Sequence, residues 1–183
     1  MVRVVRTRYL LAVEGESEQS FVKWVQDLAD DADLNVHLQC RVLSGGGYSS
    51  MLREAANFKK RDENQKGAFK QAFLLADEDR ARQPHPDWSI VRLRREAASK
   101  GLILCGQKPK FEGLLLRMLP GRERIVLDAA NVDAQLRVLL PGYKKPTDAQ
   151  SLARMFTLDD LMRVAGVEPD LMRVLSTIGF GQP

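Results

Sequence analysis

The chain has 183 residues, a formal net charge of +4 and a sequence pI near 9.2. Its 44% hydrophobic and 28% charged residues are typical of a globular protein and exclude a disordered or fibrous one. No apolar run approaches the roughly 18 to 20 residues needed to span a bilayer, and the first residues lack a signal-peptide pattern. We therefore expect a cytoplasmic protein that does not enter a membrane.

Up to Gly106 the hydrophobic pattern predicts strands that alternate with helices. The predicted strands are Arg8–Val13, Val36–Val42, Ala68–Ala76 and Leu102–Gly106, and the predicted helices between them are Ser17–Ala32, Tyr48–Lys60 and Asp87–Ser99. A polar turn is predicted at Asp62–Gly67, and Asp87 is the predicted N-cap of the third helix. Such alternation with short links is typical of a mostly parallel sheet with helices on its faces.

Beyond Gly106 the pattern predicts helices, with a short edge strand at Ile125–Asp128. The predicted helices are Lys110–Leu119, Val132–Leu140, Asp148–Phe156, Leu158–Ala165 and Pro169–Ile178. We therefore predict an α/β core over residues 1–125 and a helical C-terminal extension over residues 126–183. The extension is expected to pack on or near the core, and a role for it in a homo-oligomer is left open.

Carboxylates follow two of the predicted strands. Glu14 ends the first strand, while Asp77 and Asp79 follow the third. Open α/β sheets bind ligands at the carboxyl edge of the strands. Two residues apart, Asp77 and Asp79 have side chains on one face, and oxygen-only ligands favour a hard cation such as Mg²⁺. The pair alone is also consistent with a solvated turn that caps the next helix, so the choice depends on whether Glu14 meets Asp77.

These features, in this order, resemble a Toprim domain. The strand ending Val13-Glu14-Gly15 precedes a helix, a strand, a Gly-rich turn, a helix and the strand that ends Asp77-x-Asp79. Toprim domains occur in topoisomerases, bacterial primases, overcoming-lysogenization-defect (OLD) nucleases and small RNA-maturation nucleases. The resemblance implies that Glu14 serves in acid/base chemistry and that Asp77 and Asp79 bind Mg²⁺ or Mn²⁺.

Residues 9–119 are also similar to the RloB-like family, a Toprim-related group of phage-defence and restriction-associated loci. The similarity includes Glu14-Gly-Glu-Ser-Glu18 and Pro109-x-Phe111-Glu112, the latter followed by a run of leucines. Lys108 departs from the family, which usually has a small or amide residue before this proline. The resemblance implies a metal-dependent nuclease in antiviral defence, with a separate ATPase as a partner because this chain has no P-loop.

Two further acidic residues have alternative interpretations. Glu112 would be an additional metal-site residue by the resemblance, or simply a favourable charge at a helix start. Glu18 is either a ligand of a second metal or a solvated residue in the first turn of a helix. Both are included in the predicted metal site together with Asp77 and Asp79.

Three cations are candidates for nucleic-acid binding. Arg80 either clamps a phosphate or pairs with the neighbouring carboxylates, while Lys108 and Lys110 border the predicted site and are expected to contact backbone phosphates. The leading hypothesis is a Mg²⁺-dependent nuclease acting on DNA or RNA. The alternative is a non-catalytic Toprim-like module that binds nucleic acid or protein.

Overall fold

The computed structural model describes residues 5–44, 46–79 and 88–181. The strands are β1 (Thr7–Val13), β2 (Val36–Val42), β3 (Gln71–Asp77) and β4 (Ile103–Gln107). The helices in the described ranges are α1 (Glu16–Asp31), α2 (Tyr48–Lys66), α3 (Ile90–Ser99), α4 (Phe111–Met118), α5 (Val132–Leu139), α6 (Ala149–Met155), α7 (Leu158–Ala165) and α8 (Pro169–Ile178). All paired strands are parallel, in the order β2-β1-β3-β4. The predicted α/β class is confirmed and is consistent with a Toprim-like fold.

Strand β1 lies inside the sheet and is covered on both faces, which explains its nearly continuous apolar sequence. Leu10 and Ala12 face a core shared with α2 and α3, whereas Leu11 and Val13 face a core shared with α1 and the later helices. Alternation of side chains along a strand places neighbouring residues in these two separate layers. The sheet is therefore the middle layer of a three-layer structure.

The four C-terminal helices pack on the α1 side of this sheet. Helix α6 contacts α1, α5 and α7 contact α4, and α8 contacts β4. The hydroxyl of Tyr9 in β1 donates to the carbonyl of Thr177 in α8 at 2.9 Å. Apolar residues of all four helices belong to the same buried cluster as β1. Within the described part of the chain, every helix is too short or too polar to cross a membrane.

Helix α2 is longer than the sequence predicted. It continues through residues 62–66, where the polar composition had predicted a turn, and ends at Gly67. The cause is Asp62, which is buried and accepts hydrogen bonds from the guanidinium of Arg8, at 2.9 Å for the shorter. A partner in β1 makes this polar stretch part of the packed structure, and local composition could not reveal it.

Two other predicted features differ. Helix α3 begins at Ile90, and its N-cap is Ser89, whose hydroxyl accepts from the backbone N–H of Arg92 at 3.2 Å. The predicted cap Asp87 lies outside the described residues. Residues 125–128 form a loop and not the predicted edge strand. Their burial alternates as in a strand, because Leu127 packs into the core while Val126 is 93% exposed.

Candidate functional site

The candidate site lies at the carboxyl edge of the sheet. Glu14 directly follows β1, Asp77 is the last residue of β3, and Asp77 is paired in register with Gln107 at the end of β4. Glu14 Oε1 accepts a hydrogen bond from the backbone N–H of Asp77 at 3.1 Å. The structure therefore brings the two strand ends together, as the interpretation of this edge as a site required.

The loop before α4 is joined to the end of β3 by two hydrogen bonds, and α2 supplies a third. The backbone N–H of Phe111 donates to Asp77 Oδ1 at 3.0 Å, and the N–H of Asp79 donates to the carbonyl of Pro109 at 2.8 Å. On the other face, the hydroxyl of Tyr48 donates to the carbonyl of Asp77. These bonds fix the backbone on which Asp77 and Asp79 stand and bring the start of α4 to the same edge.

A glycine allows α4 to begin so close to this loop. A Cβ atom added to Gly113 would lie 2.5 Å from the carbonyl oxygen of Lys108 and 3.0 Å from Cδ of Pro109. The first of these distances is to a backbone atom, which cannot move aside without shifting the loop that binds Asp79. The Lys108–Pro109 peptide in this loop is cis.

Glu18 and Glu112 come to the edge from the first turns of α1 and α4. Their residues are only 6% and 1% exposed, so the interpretation of Glu18 as a solvated residue is wrong. A carboxylate in the first helical turn is favoured by the helix dipole, which partly offsets its burial. Glu18 lies within electrostatic range of Glu14, Asp77 and Glu112.

Burial and the repulsion of neighbouring carboxylates raise the pKa of Asp77 and of Glu18. Burial raises the pKa of Asp77 to about 8, and the charges of Glu14, Glu18 and Asp79 add to this effect. Burial likewise raises the pKa of Glu18 to about 7, reinforced by Glu112 and Glu14. A bound cation would favour the ionised forms of such carboxylates.

Sequence reasoning missed the loop between α5 and α6, which crosses the site. The ammonium of Lys145 pairs with Glu112 at 2.5 Å, and the hydroxyl of Tyr143 donates to the same carboxylate oxygen at 3.4 Å. The backbone N–H of Thr147 donates to Oγ of Ser17 in α1 at 3.3 Å. Burial first, then the charge of Glu112, raises the pKa of Tyr143 to about 12. No sequence signal joins Lys145 to Glu112, because the pattern around Lys145 is that of a solvated basic pair.

The predicted phosphate contacts are engaged elsewhere in the molecule. Lys108 pairs with Glu168 at 3.5 Å, and Lys110 pairs with Asp133 at 2.7 Å. Both lysines thus join the α4 loop to the C-terminal helices. Arg80 lies outside the described residues.

The donor atoms of the edge suit a hard cation in kind. All of the carboxylates offer oxygen, and Oδ1 of Asp79 is buried without a hydrogen-bond partner among the described residues. The amide of Gln107, next to Asp77 in the sheet, is also buried and unpartnered within the same ranges. However, the described residues contain no group of three carboxylate, His or Cys side chains already arranged to hold a metal ion.

Comparisons with known proteins leave the family undetermined. No family model matches the chain, and no curated protein matches it. Two solved structures are similar, both of the C-terminal region of the OLD protein from Xanthomonas campestris pv. campestris. One, phased with mercury, has a TM-score of 0.33 and 16% identity, covering 93% of this chain and 79% of that chain. The other, phased with platinum, has a TM-score of 0.33 and 15% identity, covering 94% and 78%. A TM-score this low carries no argument about function.

Proposed function

We propose that the protein is a nuclease that depends on Mg²⁺ or Mn²⁺ and hydrolyses phosphodiester bonds of DNA or RNA. The observation that carries the proposal is the hydrogen bond that joins Glu14 to Asp77 at the sheet edge. Beside it, Asp79 has a buried carboxylate oxygen without a partner in the described ranges. Converging carboxylates that stay partly unsatisfied are expected where a cation and a phosphate bind.

The residues divide the work between binding and proton transfer. Asp77 and Asp79 would hold the cation, with Glu18 and Glu112 as further acidic members of the site. When bound, a divalent cation neutralises charge on the phosphate and makes water a better nucleophile. Glu14 would be the general acid/base: the Asp77 N–H orients its carboxylate, and a carboxylate held in this way would take a proton from an attacking water.

The motif resemblance supports a narrower proposal about biological role. The RloB-like order of Glu14-Gly15, Asp77-x-Asp79 and Pro109-x-Phe111-Glu112 supports a function in antiphage defence, with a separate ATPase controlling the nuclease. A separate ATPase is proposed because the Gly-rich turn before α2 lacks the Gly-Lys-Ser/Thr end of a P-loop.

A non-catalytic module is the second candidate. Glu112 is neutralised by Lys145, and the described carboxylates are not closed around one point. An acidic edge whose charges are balanced from within the chain could serve binding without hydrolysis.

Cleavage assays with matched acidic variants separate the two candidates. Labelled DNA and RNA are incubated with the protein in Mg²⁺, Mn²⁺ or EDTA. We expect metal-dependent cleavage, with losses of about 100-fold or more in Glu14→Gln and Asp79→Asn because each removes a group that acts in the reaction. The control is Glu16→Gln, which removes an exposed carboxylate from the first turn of α1, two residues after Glu14, and should cut within about twofold of the parent.

Two results would reject the nuclease mechanism. One is unchanged cleavage by Glu14→Gln and Asp79→Asn, which would place the chemistry elsewhere. The other is an absence of cleavage with every metal and substrate while nucleic-acid binding persists, which is the behaviour of the binding module.

A further inference from the structure

A polar groove adjoins the loop that holds Asp79. Its volume is about 340 Å³, within the range of small-ligand sites. It is lined by Lys108, Pro109, Arg117, Glu123, Arg124, Ile125, Val126, Leu127, Val167 and Glu168. A second depression, lined by residues 120–125, shares three of these residues and continues the groove along the α4–α5 connection.

The charged side chains along the groove differ in whether they are paired within the protein. Glu168 is neutralised by Lys108 and Arg117, both at 3.5 Å, and Glu123 is neutralised by Arg163. In contrast, the guanidinium groups of Arg122 and Arg124 have no hydrogen bond, ion pair or ring contact within residues 5–44, 46–79 and 88–181. The two carboxylates that line the groove are therefore paired within the chain, whereas no described residue pairs with the guanidinium groups of Arg122 and Arg124.

The groove is connected to the candidate site through Pro109. This residue lines the groove, and its carbonyl accepts the N–H of Asp79 at 2.8 Å. One loop therefore forms the wall of the groove and the support of the acidic edge. Val126, 93% exposed on the same wall, adds apolar surface against which sugars or bases can pack.

We propose that this groove binds the phosphodiester backbone of a nucleic-acid strand and leads it to the acidic edge, with Arg122 and Arg124 as the phosphate contacts. The inference rests on the proposed function and names the substrate-binding surface of that same site. Guanidinium groups match phosphate oxygens in a fork geometry, which suits this role. The phosphate contacts thus move from Lys108 and Lys110, which are held in ion pairs, to two arginines that sequence reasoning did not select.

Binding without cleavage tests the groove directly. Fluorescence anisotropy with a labelled 20-nucleotide DNA or RNA in EDTA is measured from 50 to 300 mM salt. We expect Arg122→Gln/Arg124→Gln to weaken binding about tenfold or more and to lower the slope of log affinity against log salt by about 1 to 2, because two phosphate contacts are lost. The control, Arg53→Gln/Lys100→Gln, removes the same charge from exposed positions of the α2–α3 layer and should stay within about threefold. Circular dichroism and thermal melting confirm that each variant is folded.

The outcomes separate this inference from the nuclease proposal. If the parent cleaves and the groove variant binds like the control, the groove assignment is wrong and the nuclease proposal stands. If nothing is cleaved but binding falls only in the groove variant, the groove stands without the nuclease. The groove assignment is overturned if the parent binds no oligonucleotide. It is also overturned if polyglutamate binds as tightly as the oligonucleotide and loses affinity in the same arginine variant.

Discussion

At the scale of single residues, Glu112 illustrates how the protein keeps a charge in its interior. The residue is almost fully buried at the start of α4, yet its carboxylate meets the ammonium of Lys145 and the hydroxyl of Tyr143. Both partners come from one loop far along the chain. The ammonium of Lys145 is therefore a structural partner of Glu112 as well as a neighbour of the candidate site.

Removing the ammonium of Lys145 should destabilise the protein. Lys145→Met leaves Glu112 buried without its ion-pair partner, so we expect the free energy of unfolding to fall by about 2 kcal/mol, measured by urea denaturation at pH 7. Lys144→Met is the matched control, because Lys144 is exposed and has no partner among the described residues. Equal stability of the two variants would show that the pair contributes nothing.

Individual residues differ in how far sequence could predict them. The sequence predicted that Glu14 and Asp77 end strands of one sheet but left their meeting open, because that depends on β1 and β3 being neighbours in the sheet. Lys145 was not predictable, because its loop is placed by the packing of α5 and α6, and local sequence does not encode that packing. The roles of all the site residues stay predictions until they are assayed.

At the scale of elements, one carboxylate joins α8 to both α3 and β4. Asp170 in the first turn of α8 accepts two hydrogen bonds from Arg94 of α3, at 2.7 and 3.1 Å, and one from the backbone N–H of Gly106 in β4, at 3.1 Å. Burial opposes ionisation of Asp170, but these bonds prevail and lower its pKa below the usual 3.8. Three elements therefore meet at one ionised side chain.

This arrangement predicts a stability contribution that depends on pH. Because the folded pKa of Asp170 is lowered, its contribution is fully present above about pH 3.8 and is lost as the pH falls through the folded pKa. In urea titrations, we expect Asp170→Asn to be about 1–2 kcal/mol less stable than the parent at pH 7, and the difference to shrink as the pH falls below 3.8 through the folded pKa. Asp27→Asn, which removes an exposed ion pair with Lys23, should change little at either pH. A constant difference across pH for Asp170→Asn would contradict the assignment.

The order of the elements was predictable, as was their type apart from the edge strand predicted at residues 125–128, but some of their limits were not. The apolar runs of β1 to β4 and the spacing in α7 and α8 depend on burial that the sequence displays directly. The end of α2 depends on Asp62 meeting Arg8, and the loop at residues 125–128 depends on packing against the core. Contacts between residues that are distant in sequence decide these limits. The hydrophobic periodicity of a short sequence window carries no information about such contacts.

At the scale of the whole molecule, the predicted division into residues 1–125 and 126–183 does not separate two cores. Apolar residues of α5 to α8 lie in the same cluster as β1, α1 and α4. Ion pairs of Lys108 with Glu168 and Lys110 with Asp133 cross the same boundary. We therefore propose that the extension is a structural part of the α/β core.

Truncation tests this proposal. A chain of residues 1–125 loses the cover of the α1 side of the sheet, exposing buried residues such as Trp24 and Phe111. We expect it to lack a cooperative thermal transition and to bind the dye ANS, whereas the full chain melts in one step and binds little dye. A cooperative transition in the truncated chain would instead establish an independent domain.

The hydrogen bond from Tyr9 to Thr177 has a consequence for how the chain acquires its structure. The hydroxyl belongs to β1, and the carbonyl that accepts its hydrogen bond belongs to α8, 168 residues further along the chain. Contacts that join such distant residues must form late and at a high cost in chain entropy, so they slow folding. During synthesis, more than a hundred residues after β1 must emerge from the ribosome before helices α5 to α8 can pack on the apolar α1 side of the sheet. We expect nascent chains of this protein to remain accessible to chaperones until α8 is released.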